Sequence, residues 1–155
     1  MRNASRIRLA VLAAAAIGLG AAVTRDAVPG DEQFAVMTVY KSPTCGCCSK
    51  WVDHVKASGI QVKTIDLDDL AEIKAASGVP SALQTCHTAV IQGYVVEGHV
   101  PADVVQQLLR EKPAIAGVAV PGMPLGSPGM EGSPKRSYDV IAWDKLGKTR
   151  VFAHR

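Results

Sequence analysis

An apolar stretch that leads directly into a cysteine-containing helical segment is the feature that most constrains this fold. Phe34–Tyr40 (FAVMTVY) is short, continuous and rich in β-formers, which predicts a buried strand. Lys41–Thr44 breaks the run, and Thr44 is a candidate cap for a helix that begins near Cys45. The apolar face of this helix has i, i+3, i+4, i+7 spacing and consists of Cys48, Trp51, Val52 and Val55.

Beyond this junction, strand-like and helix-like segments alternate up to residue 112. Gly59 and Gly78 mark the ends of two helices. The predicted elements are, in order, a strand at Ile60–Leu67, a helix at Asp68–Gly78 with Asp68 as its cap, a proline, strand and turn in Val79–Val90, a strand at Gly93–Gly98 and a helix at Pro101–Lys112. The order is therefore β-α-β-α-β-β-α, which predicts an α/β fold.

The composition changes after residue 112. Pro113–Arg136 is dense in Pro, Gly and Ser and predicts a loop that does not hold regular structure for long. Tyr138–His154 predicts a β-hairpin around a turn at Lys145–Lys148. We therefore predict one α/β domain over residues 34–112, with the loop and hairpin of residues 113–155 packed on it.

The N-terminus has the layout of a secretory signal peptide. Three arginines and no acidic residue precede the fifteen-residue apolar run Leu9–Val23, which includes small residues at Gly20–Ala22. The run is shorter than the about 20 residues of a membrane-spanning helix, and an uncleaved anchor is the alternative. We predict a signal peptide at residues 1–22, a flexible lead-in at 23–33, and a periplasmic mature protein with no stable membrane association.

Net charge gives no indication of a nucleic-acid partner. The chain has 17 Lys and Arg against 14 Asp and Glu, and three of the arginines lie in the predicted signal peptide. The mature protein would carry 14 of each and be formally neutral, so no nucleic-acid partner is predicted. The sequence motifs of common hydrolases and of phosphate-binding loops are absent.

Three cysteines lie within four positions at the first strand–helix junction. Cys45 and Cys48 are three residues apart on one helix face, which is the spacing of a thiol–disulfide pair. The helix N-terminus favours an anion, so Cys45 is expected to be reactive. These two residues are the redox candidates, and a thiol–disulfide oxidoreductase is one hypothesis for the function.

Cys47 adds a third thiol, which favours a metal site over a simple redox pair. A third thiolate beside an exchanging pair invites scrambling, whereas clustered thiolates bind soft ions such as Cu(I), zinc or iron–sulfur clusters. Zinc sites with four cysteines usually have two separated knuckles, and this chain has one knuckle and the lone Cys86. Iron–sulfur clusters are rare in exported proteins of this size, and Cu(I) prefers thiolate and thioether ligands, so copper is the predicted metal. Inert disulfides in a structural or partner-binding module are a third hypothesis.

Other side chains are candidates to complete a soft-metal site. His87 follows Cys86 directly, and Met123 and Met130 carry thioethers on the Pro/Gly-rich loop. The alternatives are an ordinary turn residue for His87 and core packing for the two methionines. Of the other histidines, His54 is expected at the surface and His154 lies near the C-terminus. His99 is expected in a turn, where a ligand role stays open.

The order of the elements, with the cysteines at the first strand–helix junction, resembles the thioredoxin-like fold. The resemblance spans Phe34–Lys112. It implies that Pro80, just before the third strand, follows a cis peptide bond and faces the cysteines. It also implies that Cys86, at the end of that strand, lies close to the motif.

Three sequence blocks look like the CopG-type family of exported, thioredoxin-like copper-resistance proteins. They are YKSPTCGCCSKW, GVPSALQTCHTAVIQGYVVEGHVP and GVAVPGMPLGSPGME. The resemblance implies a periplasmic copper-binding protein with a thiolate-bridged site for several copper ions, as Cu(I) or cycling with Cu(II). It implies copper ions and other periplasmic copper-handling proteins as partners. The implied ligands are Cys45, Cys47, Cys48 and Cys86.

Overall fold

The computed structural model describes residues 35–155 as a seven-stranded mixed sheet with three α-helices. The predicted signal peptide and lead-in lie outside the described residues. The elements are β1 (Met37–Lys41), α1 (Gly46–Ala57), β2 (Val62–Asp66), α2 (Ala71–Ala76), β3 (His87–Ile91), β4 (Tyr94–Gly98), α3 (Ala102–Glu111), β5 (Gly117–Val120), β6 (Asp139–Trp143) and β7 (Thr149–His154). The α/β class is confirmed, and a thioredoxin-like fold stays a prediction.

The strands follow the order β2-β1-β3-β4-β5-β6-β7 across the sheet. β1 is parallel to β2 and β4 is parallel to β5, whereas the other neighbouring pairs are antiparallel. β6 and β7 form the predicted hairpin and continue the same sheet. β5 lies inside the segment predicted to be a loop, and it was missed. All four of its residues are buried: β4 and β6 pair with its backbone on both sides, and its side chains belong to the clusters on the two faces of the sheet.

The main hydrophobic core lies between one face of the sheet and helices α1 and α3. A smaller cluster lies on the other face, since the successive residues Val95 and Val96 belong to different clusters and successive strand side chains point to opposite faces. The helical residues of the main core are Trp51, Val52, Val55, Val104, Val105 and Leu108. Within residues 35–155, none of the helices combines the length and hydropathy required to cross a bilayer.

The segment between α2 and β3 differs from its prediction. Ser81–Leu83 forms a 3₁₀ turn and the strand begins only at His87, so Cys86 precedes β3 instead of ending it. The predicted cis bond at Pro80 was wrong, since Ser133–Pro134 is the cis peptide bond among the described residues. Pro80 is instead trans, and its carbonyl accepts the N–H of Leu83 (2.8 Å) at the start of the turn.

Helix α2 is shorter than predicted. The carboxylate of Asp69, rather than that of Asp68, accepts the N–H of Ala71 (2.8 Å) at its beginning. Gly78 follows the helix with a φ of +65°, a left-handed conformation that favours glycine and fits its predicted role as a stop. The helix contributes the buried Lys74 to the face of the sheet that carries the smaller hydrophobic cluster.

Lys74 forms an ion pair with Glu97, which is fully buried in β4. Lys74 Nζ lies 2.6 Å from Glu97 Oε1, and the other carboxylate oxygen accepts the hydroxyl of Thr88 on β3 (2.7 Å). Glu97 Oε1 also accepts the N–H of Thr85 (2.7 Å), the residue before Cys86. One carboxylate therefore links α2, β3, β4 and the turn that carries Cys86.

We expect Glu97→Gln to lower the free energy of unfolding by about 3–5 kcal/mol, because it leaves the Lys74 ammonium buried without a counter-charge. Urea denaturation at neutral pH measures this loss. Asp66→Asn is the matched control: its partner Lys41 is as buried as Lys74, but the Asp66 side chain is 51% exposed. That variant should lose no more than about 1 kcal/mol. Equal losses in the two variants would contradict the prediction.

Candidate metal centre

Four chain segments meet at one edge of the sheet because of the strand directions. β1 ends where the antiparallel β3 begins, with Lys41 opposite His87. β4 and β5 end at the same edge, since β4 is antiparallel to β3 and parallel to β5. The four segments are the cysteine motif after β1, Cys86 before β3, His99 after β4 and the Pro/Gly-rich loop after β5.

The cysteine motif forms the first turn of α1. Cys45 is the N-cap residue, and its sulfur accepts the N–H of Cys48 (3.3 Å). The predicted cap, Thr44, instead places its hydroxyl 3.1 Å from that of Ser42. Cys45 and Cys48 are joined by a disulfide in this structure. The two redox candidates are thus a connected pair, here in the oxidised state.

Cys47 and Cys86 are the free cysteines among the described residues. Cys47 Sγ lies 3.5 Å from Cys45 Sγ, and Cys48 Sγ lies 3.9 Å from the carbonyl oxygen of Cys86. The four sulfur atoms all lie within 4.8 Å of one another. The structure therefore brings together the four cysteines that the sequence singles out, within the space that a metal site requires.

Two buried imidazoles adjoin this cysteine cluster. His87 Nδ1 lies 3.6 Å and His99 Nε2 lies 3.1 Å from the sulfur of Cys86. His87 packs on Trp51 with ring centroids 4.3 Å apart, and its Nε2 has no hydrogen-bond partner among the described residues. Donor atoms of Cys86, His87 and His99 lie within 4.8 Å of one another. His99 belongs to this cluster, which the sequence signals only through its position directly after a predicted strand.

The protonation of the two imidazoles follows from burial and from one carbonyl group. Burial, reinforced by the neighbouring His99, lowers the pKa of His87 to about 3, so this ring is neutral at physiological pH. Burial also lowers the pKa of His99. His99 Nδ1 lies 2.7 Å from the carbonyl oxygen of Pro128, which can only accept. The proton of neutral His99 is therefore on Nδ1, and the lone pair on Nε2 faces Cys86.

Cys86 holds its proton more tightly than an ordinary cysteine. Burial, followed by the nearby Cys47, raises the pKa of its thiol to about 11. At neutral pH the S–H of Cys86 can donate to the lone pair of His99 Nε2, 3.1 Å away. A metal ion that binds this sulfur must therefore displace the proton.

The Pro/Gly-rich loop lies directly over the cluster. A Cβ atom at Gly129 would lie 2.5 Å from the carbonyl oxygen of Cys47 and 3.0 Å from the backbone nitrogen of Trp51. Gly129 also has a φ of +85°, so a residue without a side chain is required for both reasons. The loop backbone therefore rests on the first turn of α1, next to the hydrogen bond between Pro128 and His99.

The two predicted thioether donors lie on the Pro/Gly-rich loop, and the two remaining histidines lie in α1 and β7. Met123 lies on the loop with its side chain 40% exposed, and Met130 is half-buried two residues after Pro128. His54 is at the surface, as predicted, and its Nε2 accepts the N–H of Ala102 (3.1 Å) at the start of α3. His154, in the edge strand β7, has its Nδ1 2.6 Å from a carboxylate oxygen of Asp139.

Solved structures of "Copper resistance protein copG" in two forms match this chain. Form 2 is 40% identical with a TM-score of 0.74, covering 78% of this chain and 98% of the matched one. Form 1 is 41% identical with a TM-score of 0.73, covering 77% and 96%, respectively. This chain belongs to the CopG family. A family model described as "Protein of unknown function, DUF411" matches residues 83–130, which include Cys86, His87 and His99. No curated protein matches.

In the disulfide form of this CopG-family chain, Cys86 is expected to react slowly with iodoacetamide. Its raised pKa keeps the thiol protonated, and only the thiolate is alkylated. The rate should rise about tenfold per pH unit and level off near pH 11. Peptide mapping by mass spectrometry measures the rate, with the urea-unfolded chain as reference. An equal rate at pH 7 in the folded and unfolded chains would contradict the prediction.

Proposed function

We propose that this chain binds copper in copper resistance and that it holds Cu(I) at Cys45, Cys47, Cys48 and Cys86. The observation that carries the proposal is the approach of the four sulfur atoms to within 4.8 Å of one another. Thiolates are soft ligands that suit Cu(I). The similar structures of CopG, which this chain covers over 96–98% of their length, are those of copper resistance proteins.

Charge supports a site for several ions rather than one. Four thiolates this close together, with the sulfur of Cys48 fully buried, repel one another strongly. A single Cu(I) offsets one of the four negative charges, whereas several bridged Cu(I) ions offset most of them. We therefore propose a thiolate-bridged site with several copper ions per chain.

The neutral imidazoles of His87 and His99 add nitrogen donors on the Cys86 side of the cluster. Imidazole suits copper as well as zinc and nickel. Nδ1 of the buried His87 lies 3.6 Å from the sulfur of Cys86 and is the nitrogen that would bind an ion at this corner. The thioethers of Met123 and Met130 are soft enough to bind Cu(I), and their loop covers the cluster.

Loading requires a change in the chain itself. The Cys45–Cys48 disulfide must take up two electrons before either sulfur becomes a thiolate ligand. Cys86 must lose the proton that its buried environment retains. The reduced chain is therefore the copper-binding form, and binding releases protons.

Export to the periplasm is part of the proposal. The arginines and the apolar run at the N-terminus support it. In an oxidising compartment, unprotected thiol pairs become disulfides. Bound copper would protect the four cysteine thiols from this oxidation. Copper ions and other periplasmic copper-handling proteins are the proposed partners.

A thiol–disulfide oxidoreductase is the second candidate function. The Cys45–Cys48 disulfide at the start of α1 is the observation that favours it. Such an enzyme would lose its activity in Cys45→Ser, whereas Cys47 is not one of its two exchanging thiols. The behaviour of Cys47→Ser thus separates the two candidates.

Cys47→Ser should bind fewer Cu(I) ions than the wild type, because a hydroxyl is a hard and weak ligand for Cu(I). Anaerobic titration of the fully reduced chain, with metal analysis after desalting, measures the stoichiometry. X-ray absorption at the copper edge should show sulfur ligation and short copper–copper distances in the wild type.

Ser49→Ala is the control for this experiment. Ser49 is exposed on the same helix turn, and its hydroxyl bonds only the carbonyl oxygen of Cys45 (3.3 Å). It should retain the wild-type stoichiometry. If Cys47→Ser binds as much copper as the wild type and keeps disulfide reductase activity, the oxidoreductase replaces the copper-binding proposal.

A further inference from the structure

A second concave surface lies at the edge of the sheet opposite the metal centre. β3 ends and β4 and β5 begin at this edge, whereas β4 and β5 end beside the cysteines. The segment after α3 and the turn between β6 and β7 form two of its walls. A ligand bound here is separated from the candidate metal centre by the length of the strands.

The surface consists of two adjoining hollows that form one groove. The larger has a volume of about 730 Å³ and the smaller of about 250 Å³, and both are lined by Ala114, Ile115 and Asp144. The larger hollow lies within the range of about 300–1,000 Å³ that is usual for ligand sites. We call the surface the basic groove, after the four cations that line it: Lys112, Lys145, Lys148 and Arg150.

The four cations are available to an anionic ligand. All are exposed, and none forms an ion pair with a carboxylate among residues 35–155. Asp144 also lines the groove, but its Oδ1 accepts the N–H groups of Leu146 and Lys148 (2.9 Å each) within its own turn. Residues 23–155 contain 14 cationic and 14 acidic side chains, so the groove carries a local excess of positive charge.

An apolar surface adjoins these cations. Tyr94 and Ile115 are half-buried in the groove, and Leu146 on the β6–β7 turn is 94% exposed. The hydroxyl of Tyr94 donates to the carbonyl oxygen of Pro113 (2.9 Å), so its polar group is already satisfied. Backbone hydrogen bonds between Asp144 and Lys148 and between Gly147 and Asp144 close the turn, so Leu146 is presented before any ligand arrives.

We propose that the basic groove binds an extended acidic segment of a partner protein. One apolar side chain of the segment packs against Tyr94, Ile115 and Leu146, and its carboxylates pair with the four cations. This inference goes beyond the proposed function and does not depend on copper binding.

Charge and shape select this occupant. Complementary charge steers a partner to a surface and fixes its register. Successive side chains of an extended segment point to opposite sides, so its acidic residues can reach the cations while an apolar residue enters the groove. An anionic lipid bilayer has the right charge, but its broad surface does not follow a concave groove down to the half-buried Ile115. The groove of a second copy carries like charge and is repelled.

The experiment uses the full mature chain, labelled with ¹⁵N and kept reduced and free of metal. It is titrated with a blocked peptide of alternating glutamate and leucine, and the backbone amides are followed by two-dimensional NMR. Saturable shift changes are expected in residues 92–94, 112–115 and 144–148. The absence of saturable changes, or changes centred on the cysteine motif, would overturn the proposal.

Two control peptides separate charge from apolar contact. A peptide of alternating lysine and leucine should bind at least about tenfold more weakly, because its charge is reversed. A peptide of alternating glutamate and serine should bind about threefold more weakly, because it lacks the buried apolar side chain. Equal binding of the lysine peptide would show apolar adhesion without charge recognition and would contradict the proposal.

Three substitutions of exposed side chains test the groove without disturbing the core. Lys145→Gln, Leu146→Ser and Lys112→Gly should each weaken peptide binding by about threefold. Lys112 has a φ of +46° at the end of α3, which glycine favours, so Lys112→Gly removes the cation without straining the backbone. Lys63→Gln, in the edge strand β2 far from the groove, should bind as the wild type does. Wild-type affinity in all three groove variants would overturn the proposal.

The double variant Lys112→Gly/Lys145→Gln distinguishes this inference from the proposed function. It should lose about tenfold in peptide affinity, since the effects of separate sites add, and it should keep the wild-type Cu(I) stoichiometry. If the wild type binds Cu(I) but not the peptide, the inference fails and the proposed function stands. If it binds the peptide but not Cu(I), the proposed function fails and the inference stands. A chain that sediments with phosphatidylglycerol vesicles and does not bind the peptide docks on membranes, and the inference is then wrong.

Discussion

The antiparallel pairing of β1 with β3 is the constraint on which the site depends. It places Lys41 opposite His87, so the residues that follow β1 lie beside those that precede β3. Thirty-eight positions separate Cys48 from Cys86, yet the sulfur of one lies 3.9 Å from the carbonyl of the other. The buried Glu97 strengthens the same corner, because its carboxylate accepts the N–H of Thr85, next to Cys86. Sheet register and one buried ion pair together hold the donors in place.

The loop after β5 completes the site through its backbone. The Pro128 carbonyl selects the tautomer of His99, and the absence of a side chain at Gly129 lets the loop rest on the first turn of α1. Short, strongly apolar β5 is what carries the chain to this edge. A Pro/Gly-rich segment that looks unstructured in the sequence is therefore part of the candidate metal centre.

Much of the fold could be predicted because its signals are local. The strand–helix junction, the apolar stripes of α1 and α3 and the C-terminal hairpin follow from hydrophobic spacing and turn residues. The missed features depend on tertiary contacts. β5 has only four residues, the bond before Pro80 is trans where the resemblance implied a cis bond, and His99 reaches Cys86 only through strand pairing. Proximity of Cys86 to the motif was predicted through the fold, although its place before β3 was not.

Cys47 changes what a helix-start cysteine pair can do. In a protein with Cys45 and Cys48 alone, reduction of the disulfide produces two thiols. One of them can keep its proton, which avoids two neighbouring negative charges. Here the four sulfurs lie within 4.8 Å of one another while that pair is a disulfide, and burial together with Cys47 already raises the pKa of Cys86 to about 11. Fully ionised, such a cluster is unfavourable without cations. Two routes would remove the excess charge: the disulfide removes two thiolates, and the proposed cuprous ions would offset them. Because both routes act on the same sulfurs, copper binding as proposed would be thermodynamically coupled to the thiol oxidation state.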